Sequence, residues 1–246
     1  MSRIWALADL HLCHSCPQKD MTVFGPSWSG YMERIEKGWR SCVSEEDWVL
    51  LPGDITWAMK FEQALIDLAW IEQLPGKKVL SKGNHDYWWP SAGKWQKAGF
   101  KTLFNAQQQL VEIDPECAVI GVRFADSSEY SFESIIDWNP LKPKPSLAID
   151  EEVFQKEIQR LEEALKLFKP KHKKRLAMIH YPPIGLALAP SKASQLLEKF
   201  GVTDCVFGHL HSLKKESAPF GHLGGIHYIF CAADYVDFKP VEVGSL

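Results

Sequence analysis

The chain alternates short apolar runs with longer stretches in which apolar residues recur every three or four positions. Five runs read as buried strands: Ile4 to Ala8, Trp48 to Leu51, Lys78 to Leu80, Arg175 to Ile179 and Asp204 to Phe207. A strand covered on both faces reads as an apolar run bounded by turn residues. Helical spacing lies between several of them. Met32 to Val43 carries Ile35 and Trp39, and Phe61 to Leu74 carries Phe61, Leu65, Leu68 and Ile71 before Pro75-Gly76 stops it. Glu151 to Lys169 is the clearest helix, with Ile149, Val153, Ile158, Leu161, Leu165 and Phe168 on one apolar face. Asp150 suits its N-cap, Glu151 and Glu152 suit its positive end, and Pro170 follows its last turn. Ser191 to Phe200 is a shorter helix closed by Gly201. Strands alternating with helices predict a layered α/β fold. Residues 109–124 and 226–243 instead read as consecutive strands with short turns, so the sheets should be mixed. There is no internal repeat and no linker, which predicts one domain over residues 1–246. Residues 125–147, polar, aromatic and proline-rich, read either as a lid or rim loop or as a surface connection.

Polar residues gather where the strands end. The five runs lead into Asp9-Leu10-His11, Pro52-Gly53-Asp54, Gly83-Asn84-His85-Asp86, His180 and Gly208-His209-Leu210-His211. In layered α/β folds the carboxyl ends of neighbouring strands share one edge, where ligands bind. Asp and Asn offer oxygen and His offers nitrogen, a mixture that suits Mn²⁺, Fe or Zn²⁺ better than Ca²⁺. In extended chain, residues i and i+2 point to one side, so Asp9 with His11, and His209 with His211, can serve one region. Seven ligands are too many for one ion and suit two, with Asp54 able to bridge through its two oxygens. Two divalent ions outweigh the charge of Asp9, Asp54 and a bridging hydroxide, so the centre stays positive. That suits an anionic phosphoryl group and its transition state. A lone histidine after a strand is usually a satisfied core residue. Here five of the nine histidines sit at strand-end motifs, and agreement across separate segments favours a shared site.

Charge and composition narrow the field. The net charge of −3 provides no basic field to recruit nucleic acid or anionic membrane. No basic segment precedes an apolar stretch at the start, and no apolar run reaches membrane-spanning length, so a cytoplasmic protein without a membrane span is expected. Six cysteines (Cys13, Cys16, Cys42, Cys117, Cys205, Cys231) are too sparse for a disulfide scaffold and read as thiols. Cys13-His14-Ser15-Cys16 lacks the second pair of a zinc knuckle and the strand-to-helix setting of a redox motif.

The order D-x-H, G-D, G-N-H-D, H, G-H-x-H over residues 9–211 resembles the signature of the calcineurin-like metallophosphoesterase superfamily. "PGDITWAM" and "KGNHDYWW" resemble a bacterial branch of predicted phosphohydrolases. The resemblance implies a four-layer α/β/β/α sandwich with mixed sheets and a dinuclear metal centre, manganese being the first expectation. Asp9, His11 and His211 would hold one ion, Asn84, His180 and His209 the other, and Asp54 would bridge them. His85 would stand beside the scissile phosphate, oriented by Asp86. A metal-bridging hydroxide would attack phosphorus in line while His85 donates to the leaving oxygen. The substrate class is a small phosphorylated molecule, with monoesters, diesters and nucleotide-sugar pyrophosphates all open. A nuclease is the alternative enzyme, against which the acidic net charge and absence of a long basic stripe count. A catalytically silent scaffold is the alternative of another class; relatives of that kind typically lose the histidine that stands here as His85.

Three further features bear on substrate. Trp57, Trp88 and Trp89 lie close to the motifs and read as packing beneath the metal loops or as stacking surfaces for a base. Residues 181–190, "YPPIGLALAP", read as a buried loop or an apolar receptor. The basic run 171–175 reads as a solvated helix end.

Overall fold

A computed structural model describes residues 2–137, 150–215 and 220–246. Its elements in chain order are β1 (Arg3–Ala6), α1 (Tyr31–Arg40), β2 (Trp48–Pro52), α2 (Phe61–Glu72), β3 (Lys77–Ser81), α3 (Ala92–Ala98), β4 (Leu103–Asn105), β5 (Leu110–Glu112), β6 (Cys117–Val122), α4 (Glu151–Leu165), β7 (Lys174–Ile179), α5 (Lys192–Lys199), β8 (Asp204–Phe207), β9 (His222–Leu223), β10 (Ile226–Phe230) and β11 (Val241–Ser245). One sheet runs β11-β1-β2-β3-β4 and the other β5-β6-β7-β8-β10-β9. Both are mixed: β11 on β1, β5 on β6 and β9 on β10 are antiparallel. The inner pairs β1-β2, β2-β3, β6-β7, β7-β8 and β8-β10 are parallel.

The period of two along each strand separates three apolar layers. Ile4, Ala6, Leu50 and Val79 of the first sheet meet Val119, Leu176, Met178 and Val206 of the second in a layer between the sheets. Trp5, Val49, Leu51 and Leu80 face outward onto Ile35 and Trp39 of α1 and Leu68 and Ile71 of α2. Ile120, Ala177, Ile179, Cys205 and Phe207 face the other way onto Phe154, Leu161 and Leu165 of α4 and Leu197 of α5. The result is the four-layer α/β/β/α sandwich.

Several local expectations are adjusted. Residues 226–243 do not form a hairpin: β10 joins one sheet and β11 the other. The turn after β10, closed by Phe238 N–H on Ala233 O at 2.7 Å, carries the chain across. The apolar face of α4 is rotated from the one predicted, burying Phe154, Glu157, Leu161, Ala164 and Leu165. Glu157 can be buried because Arg123 and Arg160 both pair with it. Asp150 caps α4 as expected, accepting from Glu152 N–H and Val153 N–H at 3.0 and 3.1 Å. Ile149 and the second half of the 125–147 stretch lie outside the described residues. The short helix α3, with one buried apolar residue, Trp95, carries no periodicity to read. The basic run 171–175 is tied down internally: Lys169, Lys171 and His172 converge on Glu112, and Lys173 pairs with Glu116. Among the described residues no helix is long and apolar enough to cross a membrane.

Candidate metal centre

Because the inner strands of each sheet are parallel, their carboxyl ends share one edge, and the five motifs meet there. Backbone hydrogen bonds join them in pairs. Asp9 N–H donates to Gly53 O at 3.1 Å, His11 N–H to Asp54 O at 3.0 Å, and Gly208 N–H to His180 O at 3.1 Å. Two bonds cross between the sheets. His180 Nδ1 lies 2.9 Å from Pro52 O. His209 N–H donates to Asp9 Oδ2 at 3.0 Å.

The side chains converge through strained turns rather than through extended strand. Asp9, His11, Asp54 and His209 all have left-handed backbones, with φ of 58°, 45°, 52° and 72°. The i, i+2 geometry of a strand is therefore not what brings Asp9 and His11 together. Each such residue costs on the order of 1–3 kcal/mol, a cost typical of functional sites. The motif glycines answer a different need. A Cβ on Gly83 would stand 2.1 Å from Asp54 Oδ1, and one on Gly208 would stand 2.0 Å from Asp9 Oδ2. Only hydrogen leaves room for the two carboxylates.

Two groups of ligand atoms result. His11 Nε2 lies 3.2 Å from His211 Nε2, and His211 Nε2 lies 3.9 Å from Asp9 Oδ1. Asn84 Oδ1 lies 2.7 Å from His180 Nε2 and 3.0 Å from His209 Nδ1. Asp54 Oδ2 sits between the groups, 3.7 Å from His11 Nε2 and 3.4 Å from His180 Nε2. Asp9 with His11 and His211, and Asp9 with Asp54 and His180, form two sets close enough to grip an ion. The fit to a divalent cation rests on donor chemistry. Facing imidazole nitrogens at contact distance, with carboxylate oxygens around them, are a poor hydrogen-bond network and a good ligand shell. His11 turns Nε2 to His211 Nε2 and Asp54 Oδ2, while its buried Nδ1 has no hydrogen-bond partner, so the protein leaves one nitrogen of this ring unsatisfied.

Two imidazoles are pre-oriented. His180 Nδ1 faces Pro52 O, and His211 Nδ1 faces Asp234 Oδ1 at 3.1 Å, so each directs Nε2 inward. A model of the family described as calcineurin-like phosphoesterase matches residues 2–213, spanning every motif. The chain belongs to the calcineurin-like phosphoesterase family.

Other likenesses are more distant or partial. The gene 66 proteins of Mycobacterium phages D29 and L5 are 35% and 33% identical over 86 residues, 35% of this chain and 41% of theirs. The chain thus spans less than half the length of these curated relatives. TT1561 of Thermus thermophilus shares the fold with a TM-score of 0.52 at 13% identity, covering 99% of each chain. AQ665, a protein of unknown function from Aquifex aeolicus, aligns over 98% of this chain and 96% of its own with a TM-score of 0.49 at 14% identity.

Electrostatics in this candidate site are set by burial and by crossed charges. Burial lifts the Asp9 carboxyl to about 7 against the pull of His180 and His211. At Asp54 burial also acts upward, but His180, His11 and His85 prevail and hold the carboxyl below its ordinary range. Burial lowers His11 to about 3. Burial opposes protonation of His180 and His211 too, yet Asp54 beside the first and Asp234 beside the second raise both to about 9.

The expected role of Asp86 is corrected. Its Oδ2 accepts from Gly83 N–H at 2.8 Å. Its Oδ1 accepts from Ile55 N–H at 2.9 Å, Trp88 Nε1–H at 2.9 Å and Thr56 N–H at 3.4 Å. With its oxygens turned to those donors, Asp86 does not hold the His85 ring. It is a fully buried tie between the Asp54 and Asn84 loops. His85 is positioned otherwise: its backbone N–H donates to Asp54 Oδ1 at 2.8 Å, and its ring packs 4.6 Å from Trp57 and 5.7 Å from His11. Burial holds its imidazole below the ordinary range. Trp57 also stacks on His11 at 4.8 Å, and Trp88 is buried against Phe61 and Trp89, so both tryptophans support the loops.

Sequence reasoning missed four contributors: Asp234, which orients His211; Trp28, packed edge-on against His11 and His211; Tyr181, 3.9 Å from the His209 ring; and Asp126, 3.7 Å from His209 Nε2. Asp234 was findable. It follows β10, which is parallel to β8, so the strand-end rule applies to it as to the other motifs.

Proposed function

We propose that residues 1–246 form one domain that hydrolyses phosphoesters with two divalent ions. Asp9, His11 and His211 would hold one ion, Asn84, His180 and His209 the other, and Asp54 would bridge. The observation that carries this reading is Asp54 Oδ2, one oxygen lying 3.7 Å from His11 Nε2 and 3.4 Å from His180 Nε2, imidazoles of opposite ligand sets. The oxygen and nitrogen donors favour Mn²⁺, with Fe or Zn²⁺ also suited. When bound, such ions supply a nucleophile at neutral pH and neutralise phosphoryl oxygens.

The chain's own residues do the remaining work. Pro52 O and Asp234 hold the His180 and His211 tautomers. Gly83 and Gly208 leave room for the carboxylates. His85 belongs to neither ligand set, and the partial burial of its ring favours the neutral form. It would donate a hydrogen bond to a phosphoryl or leaving oxygen, where charge develops. The substrate is a small phosphorylated molecule. Cysteines carried as thiols suit a reducing cytoplasm.

Metal loading tests the reading. After dialysis against Mn²⁺, elemental analysis should find two ions per chain, and p-nitrophenyl phosphate or its bis-ester should be hydrolysed only when they are present. Asp54→Ala should lose both ions, whereas Asn84→Ala should weaken one. A single ion at saturation, or no hydrolysis with any divalent metal, refutes it.

A further inference from the structure

Beside the metal centre lies a cationic cluster that the ligand sets do not use. Strands β3 and β6 come from opposite sheets and touch where Ser81 packs on Gly121; a Cβ on Gly121 would stand 2.6 Å from Ser81 Cβ. Just beyond this contact come Lys82 on one strand end and Arg123 on the other. Lys82 is two residues before Asn84, roughly 7 Å of extended chain. Arg123 O accepts from Tyr181 N–H at 3.3 Å, next to His180. Both cations therefore emerge on the side of the site that carries Asn84 and His180.

Their charges are not balanced locally. Glu157 is buried on α4 and is shared by Arg123 at 3.4 Å and Arg160 at 2.5 Å. Among the described residues no carboxylate pairs with the half-buried Lys82 ammonium. Arg123 and Arg160 repel it, and Asp86 and Glu157 attract it from beyond salt-bridge range. Three cations, with Glu157 at salt-bridge distance from two of them and Asp86 farther off, leave an excess of one positive charge. Such an excess beside a phosphoryl-binding centre is an anion site, and arginine forks suit phosphate oxygens. There is also room beyond it. Arg160 lines a surface groove of about 560 Å³ with Gln108, Lys156, Gln159 and Glu163, the last of these paired with Lys166 at 2.6 Å, while neighbouring Gln107 accepts from Lys82 N–H at 3.0 Å. That volume falls within the range of small-molecule sites.

We propose that Lys82, Arg123 and Arg160 form a subsite for a second phosphoryl group, so that the substrate is a small bisphosphorylated molecule whose body lies in the Gln108–Arg160 groove. The assignment rests on the hydrolase reading above. Nucleic acid offers repeated phosphates too, but binding it needs an extended basic track. The 171–175 run is engaged with Glu112 and Glu116 instead.

The test separates binding from turnover. On the Mn²⁺-loaded protein, calorimetry compares propylphosphonate with propane-1,3-diphosphonate, whose C–P bonds resist hydrolysis. Kinetics compare fructose 6-phosphate with fructose 1,6-bisphosphate. The second phosphoryl group should improve both binding and kcat/KM. Lys82→Met should reduce that advantage about tenfold, the scale of one charge-assisted hydrogen bond, and Lys82→Arg should retain it. Lys82→Gln, which leaves the Arg123 and Arg160 pairs with buried Glu157 intact, provides a second variant should Lys82→Met fail to fold. Equal loss for mono- and bisphosphonate, or no loss for either, overturns the subsite. Tighter binding of a single-stranded oligonucleotide than of the bisphosphonate overturns it in favour of nucleic acid. Lys82-dependent bisphosphonate binding by a protein that hydrolyses no phosphoester supports the subsite and refutes the hydrolase reading. Hydrolysis of p-nitrophenyl phosphate with no preference for a second phosphate refutes the subsite alone.

Discussion

Asp86→Asn is the substitution that best separates a scaffold from a catalytic partner. The wild-type carboxylate serves four donors: Gly83 N–H on Oδ2, and Ile55 N–H, Thr56 N–H and Trp88 Nε1–H on Oδ1. An amide has one acceptor oxygen. The less damaging orientation keeps that oxygen toward Ile55 and Trp88 and turns the NH₂ onto Gly83 N–H, leaving a buried donor facing another donor. Losing a charge-assisted bond and orphaning a buried N–H costs about 2–4 kcal/mol. Removing a buried negative charge near Asp54 returns part of this, because burial, helped by Asp54, lifts the Asp86 carboxyl to about 6. A net loss of about 2 kcal/mol is expected. It should appear as a lower urea midpoint for the metal-free variant at an unchanged slope. The Gly83 turn also sets Asn84, so Mn²⁺ affinity measured by calorimetry should fall with it. If Asp86 instead oriented His85, stability and metal affinity would stay within about 0.5 kcal/mol of wild type, the scatter of ordinary neutral substitutions, while kcat alone dropped. That result would refute the scaffold assignment.

Two further predictions follow from packing and linkage. Gly208→Ala places a methyl 2.0 Å from Asp9 Oδ2 and 2.5 Å from Ala8 Cβ, so the Asp9 carboxylate must leave its bond with His209 N–H. Overpacking of this kind costs about 1–3 kcal/mol, and the metal-binding isotherm should weaken; unchanged affinity would contradict the geometry. Asp47 is buried just before β2 and accepts from Arg3 N–H, Trp5 Nε1–H and Ser44 N–H at 2.7, 3.1 and 2.9 Å. Burial acts to raise its carboxyl, but these donors outweigh it and hold it below the ordinary range. The unfolded state then binds more protons, so this stabilisation is fully present above about pH 5 and is lost as pH falls through the depressed native value. Asp47→Asn should destabilise the protein at neutral pH and converge with wild type in acid, as urea titrations at pH 7 and pH 3 would show; a constant difference at both would refute the linkage.

Much of the protein was legible in the chain because its inner strands are covered on both faces. Ile4, Val49, Leu80, Ile179 and Phe207 had to be apolar whichever sheet face they took, so the strands of a layered fold could be read locally, while the count of four layers came with the family resemblance. The motif residues were legible for a related reason: parallel strands end on one edge, and polar residues there stand out against apolar runs. The tertiary structure decided what depends on partners far along the chain. Glu157 looks like a solvent residue of α4 until Arg123, 34 positions away, buries and pairs with it. Asp86 looks like a neighbour's orienter until Ile55, 31 positions away, claims its oxygen. β10 and β11 read as consecutive strands until each finds its place in a different sheet. Local pattern fixes which groups leave water and reach the strand ends. Which charge meets which donor is set by loop geometry, where left-handed turns at Asp9, His11, Asp54 and His209 override the directions an extended strand would impose.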